Sequence, residues 1–366
     1  MKRSLFFALA VLFVAYFSDA RTPENVRYVY TDATDLNLIG KLFTDTPNPY
    51  HRIDTVRFKG FTKHENELIR CCAGEAVLFT TNSTSISIIP EYGYCNRPIN
   101  ATDISYAGFD LYVRNDKGEW IWAGSKVNTE KKAEQPMTIV VDMDGSSHDC
   151  MLYLPIYSEL KSLKIGVDEG AVITPLESPF KGRIGIFGSS FTMGVSTSRA
   201  GMSYPMQFQR STGYQILSIA ASGRCMMQDY FADVICAAEF DAFIFDSFSN
   251  PDAKMIEERL EPFIRKIRQT HPGEPLIFQQ TIYRENRNFD LGRDEKEAAK
   301  QQMADSLMNI MCKKYKNVYF IKPCACEKGS HEWTVDGVHP DNYGYALWER
   351  SIEGPVVKIL RKHGIK

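Results

Sequence analysis

Between residues 181 and 322 the chain repeats one unit: a short, almost wholly apolar run, a turn, and then enough sequence to hold a helix. The runs are "RIGIFG", "YQILSIA", "AFIFD", "PLIFQQT" and "NVYFIK". Runs this short and this apolar read as strands buried on both faces, and such strands belong to parallel sheets covered by helices. Parallel neighbours need a crossover connection of a dozen or more residues, and 20 to 40 residues separate most of the runs. The fold expected is therefore an open, five-stranded parallel sheet between two helical layers. Helical spacing supports it: Ile256, Leu260, Phe263, Ile264 and Ile267 fall on one face, as do Met303, Leu307, Ile310 and Met311. Pro262, inside the first stripe, is expected to kink or break that helix.

Upstream the grammar differs. From about residue 26 to 170 short apolar or alternating runs ("AVLFTT", "SISIIP", "DLYVRN", "TIVVDM", "MLYLPIY", "SLKIGV") are separated by turn residues, with little helical periodicity. This predicts an all-β sandwich of the jelly-roll kind. "TPLESPF", with two prolines, is the expected linker, which divides the chain into a sandwich domain over 21–177 and an α/β domain over 178–366.

Residues 1–20 read as a secretory signal: Lys2 and Arg3, an apolar stretch from Leu5 to Phe17, and a small-residue exit at Ser18-Asp19-Ala20. Cleavage is expected after Ala20, giving a secreted or periplasmic protein with no stable membrane span. A net charge of −2 gives no footprint for nucleic acid. Nine cysteines is an odd number for an exported chain, and Cys71-Cys72 and Cys324-Ala325-Cys326 are too closely set for a regular disulfide framework. A metal site would recruit His331 to Cys324 and Cys326, but no second ligand pair follows at zinc-site spacing, so no metal and no cofactor is expected.

Ligands of an open parallel sheet bind beyond the carboxyl ends of its strands, so the chemistry is to be sought in the segments that follow them. The first strand is followed by Ser189 and Ser190, the second by Ser218, Ala220, Ser222 and Gly223, the third by Asn250 and the fifth by Asp336 and His339. A serine hydroxyl needs a base to take its proton, and a histidine base works best with a carboxylate fixing its tautomer. Asp336 and His339 stand three residues apart on a turn shaped by Gly337 and Pro340, so one ring nitrogen can meet the carboxylate while the other faces outward. Serines after strands are also common helix caps, which is the plainer reading of Ser189 and Ser190.

In this order and position the motifs resemble those of the SGNH (GDSL-type) hydrolase family, across residues 181 to 366. The resemblance implies a flavodoxin-like domain and a serine ester hydrolase. Its first block, G-D-S-x-T-x-G, matches "GSSFTMG", which puts the nucleophile at Ser190 and Ser189 in the place of the family's aspartate. Its second block, N-x-G-x-S-G, matches "SIAASG", with Ser218 for asparagine and Ala220 for the glycine that lends its N–H to the oxyanion hole. Asn250 is the third block's asparagine; Asp336 and His339 are the acid and base of the last. Upstream, "AGFDLYVRN" and "LYLPIY" are similar to the G-x-D-L-Y module found before some bacterial SGNH hydrolases. That bacterial link argues that the sequons Asn82-Ser-Thr and Asn100-Ala-Thr are chance matches.

The function expected is a secreted serine esterase that removes small acyl groups, O-acetyl on carbohydrate, through an acyl-enzyme on Ser190. Its oxyanion hole would comprise Ser190, Ala220 and Asn250. Two other readings are a lipase or thioesterase of the same fold and an inactive carbohydrate-binding homologue. Trp120, Trp122, Tyr92 and Tyr94 could serve the last as a sugar platform or be core.

Overall fold

The structure, a computed structural model, describes residues 26–128, 135–324, 329 and 331–366. The signal segment and Cys326 lie outside the described residues.

Five strands build the parallel sheet: Lys181–Phe187, Tyr214–Ser218, Ala242–Phe245, Leu276–Gln279 and Val318–Ile321. In space they run second, first, third, fourth, fifth. The first strand therefore lies at the point where the chain order reverses, where an open sheet forms its crevice. Alternation sorts the side chains into two cores. Phe187, Phe243, Phe245, Leu276 and Phe278 pack with the helices Asp229–Cys236, Ala253–Thr270 and Leu291–Lys314. Ile184, Ile186, Ile216, Ile244 and Ile277 face the other way, towards Tyr204–Thr212 and Asn342–Lys362.

All five apolar residues predicted for the helix Ala253–Thr270 are buried, and Pro262 does not end it. Its missing N–H removes the usual i→i+4 partner of the Glu258 carbonyl, and Glu258 lies on the exposed face, where water can serve instead. In Leu291–Lys314 the buried residues are Lys300, Ala304, Met308 and Met311, whereas Ile310 is exposed. The buried face is rotated from the predicted stripe because it carries a lysine that hydrophobicity alone would place outside.

The upstream half is an antiparallel sandwich of two sheets. One holds Tyr28–Asp32, Ser158–Asp168, Ile86–Cys95 and Met137–Val140. The other orders Ile173–Pro175, Ala76–Thr81, His148–Tyr153, Phe109–Arg114 and Trp120–Lys126, with Asn37–Ile39 also pairing Ala76–Thr81. This second sheet is buried on both sides: Val77, Phe79, Cys150, Leu152, Phe109 and Leu111 fill the sandwich, while Leu78, Met151, Tyr153 and Tyr112 join the isoleucine core of the α/β half. A shared apolar core of this kind makes the two halves one packed body rather than two linked ones.

The G-x-D-L-Y stretch is the clamp between them. Asp110, 1% exposed, accepts from the Gly201 N–H (2.9 Å), the Trp122 indole (3.0 Å) and Ser125 Oγ (2.8 Å), and pairs with Arg199 at 3.1 Å. Arg210 lies over the Tyr112 ring at 4.3 Å. Gly108 is needed because a Cβ there would meet the Ile104 carbonyl at 2.3 Å. Trp120 stacks on Phe180 and the Tyr92 hydroxyl donates to the Ala107 carbonyl, so these two rings are committed to packing, whereas Trp122 lies over the clamp beside Arg199 and is 51% exposed. The eight described cysteines (71, 72, 95, 150, 225, 236, 312 and 324) are thiols, and among the described residues no cluster could hold a metal ion.

Candidate active site

The first strand ends at Phe187 and the chain turns into a one-turn helix, Ser190–Met193. Gly188 leaves no room for a side chain, since a Cβ would meet Thr192 Oγ1 at 1.8 Å. Gly194 closes the turn in the left-handed region at φ 94°, where glycine is favoured. Ser189 caps the helix, its Oγ accepting from the Phe191 N–H (3.2 Å), and donates to Asp246 Oδ2 (2.9 Å). Thr192 Oγ1 donates to the same oxygen at 3.0 Å, and Ser249 Oγ donates to Asp246 Oδ1. Burial pushes the Asp246 carboxyl up from its ordinary range, against these hydrogen bonds from Ser249, Ser189 and Thr192. The network continues through Tyr204, Gln279 and the Trp348 indole, all buried. The aspartate missing at 189 thus has a counterpart in space: a carboxylate arriving from the third strand, with the serine as its donor.

Ser190, 7% exposed, stands on this platform with Oγ 2.9 Å from His339 Nε2. His339 Nδ1 lies 2.8 Å from Asp336 Oδ2, and the imidazole packs edge-on against Phe191. Partial burial opposes the Asp336 charge. Hydrogen bonds from the His339 ring, the His339 N–H (2.7 Å) and the Val338 N–H (3.0 Å) outweigh it and hold the carboxyl well below the usual carboxylate range. The structure brings together serine, imidazole and carboxylate from opposite ends of the α/β half in the order proton abstraction requires.

The loop carrying Asp336 and His339 is held from outside by residues that motif reading missed. Glu285 accepts from the N–H groups of Trp333 (3.1 Å) and Thr334 (3.2 Å) and from Thr334 Oγ1. The Asn286 N–H bonds to the Gly337 carbonyl at 2.9 Å, and Gly337, φ 80°, has no space for a Cβ beside Asn286. Asn100, from the sandwich, reaches Asp336 Oδ2 at 2.7 Å. His331 and Glu332 on the same loop are exposed.

The expected oxyanion donors fare differently. Asn250 Oδ1 accepts from the Cys225 N–H (3.3 Å), which leaves its NH2 group to donate elsewhere. The carbonyl before it, Ser249, is held by Arg284 and by Lys300 Nζ (3.3 Å). The Ser190 N–H is a first-turn donor without a partner among the described residues. Ala220 is wholly buried, its N–H turned to Ser218 Oγ at 3.4 Å and its carbonyl accepting from the buried Arg52 at 2.8 Å. Both groups are thus engaged inside the protein, so Ala220 does not present its N–H to a substrate oxygen as the block match led one to expect. Three residues on, Gly223 has φ 68°, open space around it and an N–H unpaired among the described residues. It lies between Ser222, whose N–H meets Met193 Sδ at 3.2 Å, and Cys225, which meets Asn250. A cavity of about 680 Å³ lies at the other end of the sheet, lined by Lys181, Gly213, Tyr214 and Arg361 among others, remote from this chemistry.

Residues 28–173 match the GxDLY family, the N-terminus of SGNH-hydrolase-type esterases, and residues 181–354 match the GDSL-like lipase/acylhydrolase family. Among solved structures, a GDSL-like lipase from Bacteroides ovatus ATCC 8483 is 35% identical, with 92% of this chain and 98% of that one covered and a TM-score of 0.85. A salicylyl-acyltransferase from a tetracycline biosynthetic pathway shares the fold at 17% identity (TM-score 0.71, covering 91% and 98%). So does a family two carbohydrate esterase from Cellvibrio japonicus at 12% (TM-score 0.56, covering 92% and 99%). No curated protein matched the chain. On the first of these likenesses and both domain matches, the chain belongs to the SGNH (GDSL-type) esterases that carry an N-terminal GxDLY module, and is a carboxylic ester hydrolase.

Proposed function

We propose that the chain is an exported serine esterase that cleaves small acyl esters, with O-acetyl groups on carbohydrate as its substrates. The observation that carries the reading is the relay from Ser190 Oγ to His339 Nε2 at 2.9 Å and from His339 Nδ1 to Asp336 at 2.8 Å. Ser190 Oγ attacks the ester carbonyl as its proton passes to His339 Nε2, and the resulting imidazolium is stabilised by Asp336. Collapse of the tetrahedral intermediate expels the alcohol, which takes that proton, and leaves an acyl group on Ser190. Water, deprotonated by His339, then releases the acid and restores the serine. The negative oxygen is held by the N–H groups of Ser190 and Gly223 and by the Asn250 amide. Because His339 must be neutral to take the proton, activity falls on acidification.

The carbohydrate assignment draws support from the sandwich ahead of the catalytic half and from the carbohydrate esterase among proteins of the same fold. Export rests on the first 20 residues. One observation favours a longer acyl chain: Ile99, Val335 and Tyr343, all substantially exposed, neighbour residues of the catalytic loop in sequence or in space. Ser190→Ala against wild type on p-nitrophenyl acetate tests the mechanism, and a loss of about 10³-fold or more is expected for a nucleophile; equal rates overturn it. Acetate release from acetylated polysaccharides, set beside an acyl chain-length series, tests the substrate. Faster turnover of long chains than of acetate would transfer the assignment to a lipase.

A further inference from the structure

The strand Ile86–Cys95 leads into a turn that leaves the sandwich and ends over the catalytic loop. The Ala101 N–H bonds back to the Pro98 carbonyl at 3.1 Å, placing Ile99 and Asn100 at the corners of a four-residue turn. Ile99 points to solvent, fully exposed; Asn100 is half-buried. Asn100 Nδ2 stands 2.7 Å from Asp336 Oδ2 and 3.2 Å from His339 Nδ1. Only the NH2 end of an amide can face a carboxylate at that distance, so Asn100 donates and Asp336 accepts. The turn is anchored on both sides: the Asn96 N–H bonds to the Tyr157 carbonyl (2.9 Å), Thr102 caps the helix Asp103–Ala107, and Arg97 pairs with Asp103 at 3.3 Å. The Asp110 clamp and the shared core fix the sandwich itself against the α/β half.

We propose that Asn100 is a positioning residue for the acid–base pair, which makes the sandwich module a working part of the active site. The proposal rests on the esterase reading above, and it goes beyond it by giving the module a task. Asp336 Oδ1 is satisfied within its own loop by two backbone N–H groups, whereas Oδ2 is shared between His339 and Asn100. Among the described residues, the amide thus supplies the one hydrogen bond to the carboxylate that does not come from residues 338 and 339 themselves. It resists rotation of the carboxylate away from the imidazole, and it takes up part of the charge that would otherwise bind a proton on His339. Loss of the amide therefore both loosens the pair and strengthens the pull of Asp336 on the imidazolium. The same amide nitrogen belongs to a sequon, Asn100-Ala101-Thr102, and in the folded protein it is occupied by Asp336.

The test compares full-length wild type, Asn100→Ala and Asn100→Asp on p-nitrophenyl acetate across pH, with thermal unfolding of each and 15N-histidine NMR of wild type and Asn100→Ala. Asn100→Ala is expected to lose about tenfold in kcat/KM, less than the about 10²-fold that a misplacement of about 1 Å can cost. The loss falls on kcat with KM little changed, and the acid limb moves to higher pH. Asn100→Asp sets a second carboxylate beside the pair: its activity falls below that of Asn100→Ala, and its acid limb moves to still higher pH, because the added negative charge favours the imidazolium. A merely structural residue shows no such ordered displacement of the acid limb. With only seven histidines in the chain, the His339 Nδ1–H signal can be identified by its loss in His339→Gln, and it is expected to be displaced in Asn100→Ala. An unmoved acid limb and an unmoved signal in an active Asn100→Ala protein overturn the proposal and leave the esterase reading intact. A signal displaced in Asn100→Ala, with a wild type that hydrolyses no ester, overturns the esterase reading and leaves the positioning contact intact.

Discussion

The proposed nucleophile and its proposed base are held in contrasting ways. Ser190 sits on a turn whose neighbours are buried, with Ser189 and Asp246 wholly out of solvent and the network beneath running to Trp348 in the core. His339 and Asp336 sit on a half-exposed loop after the fifth strand, tied down by Glu285 and Asn286 from the segment after the fourth and by Asn100 from the other domain. The nucleophile is placed by the core of one domain; the acid–base pair is placed by contacts imported from elsewhere. Damage to the first should therefore appear as instability, and damage to the second as lost activity in a folded protein.

The largest effect beyond the serine itself is expected at Asp336. Asp336→Asn keeps the shape but favours the wrong tautomer of His339, and a fall in kcat of about 10⁴-fold is expected from the equivalent change in serine proteases. Steady-state kinetics on p-nitrophenyl acetate, with circular dichroism showing an intact fold, measures it. Next comes Glu285→Ala, which strips three donors on the catalytic loop of their acceptor. A misplacement of about 1 Å can cost about 10²-fold, so kcat should fall by one to two orders of magnitude, well ahead of any loss of cooperativity in unfolding.

On the other side of the comparison, Ser189→Ala removes both a helix cap and a donor to the buried Asp246 carboxylate. Its expected signature is a loss of about 1–3 kcal/mol in stability, read by chemical denaturation, with activity retained by the folded fraction. Inactivity in a fully folded Ser189→Ala protein would show that the platform steers Ser190 as well as supporting it. The smallest effect is electrostatic. The folded-state pKa of Asp336 is depressed, so the stability it contributes is present above the ordinary carboxylate value of about 3.9 and is lost as pH falls below it. The difference in melting temperature between wild type and Asp336→Asn should shrink as pH falls below about 3.9. A difference that grew instead would reverse the sign.

What was legible in the sequence follows from the range of the interactions involved. The five strands could be read because each is buried on both faces, and Ser190, Asp336 and His339 because each follows or adjoins a recognisable local signal. Ala220 was chosen because the second block was matched by letter, while the direction of a peptide N–H depends on the turn; the glycine at 223, a residue type that tolerates positive φ, was the available clue. Lys300 in a buried face and Ser249 held by two cations had no signal, since burial of a charge depends on partners that periodicity does not show. Asn100 and Asp336 are 236 residues apart, and no spacing rule spans that distance.

By itself, then, the sequence determined the elements and the residues that meet: which runs are strands, which turn carries Ser190 and which loop carries His339, whose side chains stand 2.9 Å apart. These depend on side-chain alternation, glycine geometry and neighbours a few residues away. The tertiary structure decided how those parts are held: Asp246 brought under Ser189, Glu285 clasping the catalytic loop, and the sandwich leaning across to place Asn100 on Asp336. Such contacts exist only once the two halves have packed, because each joins groups that the chain brings together solely by folding.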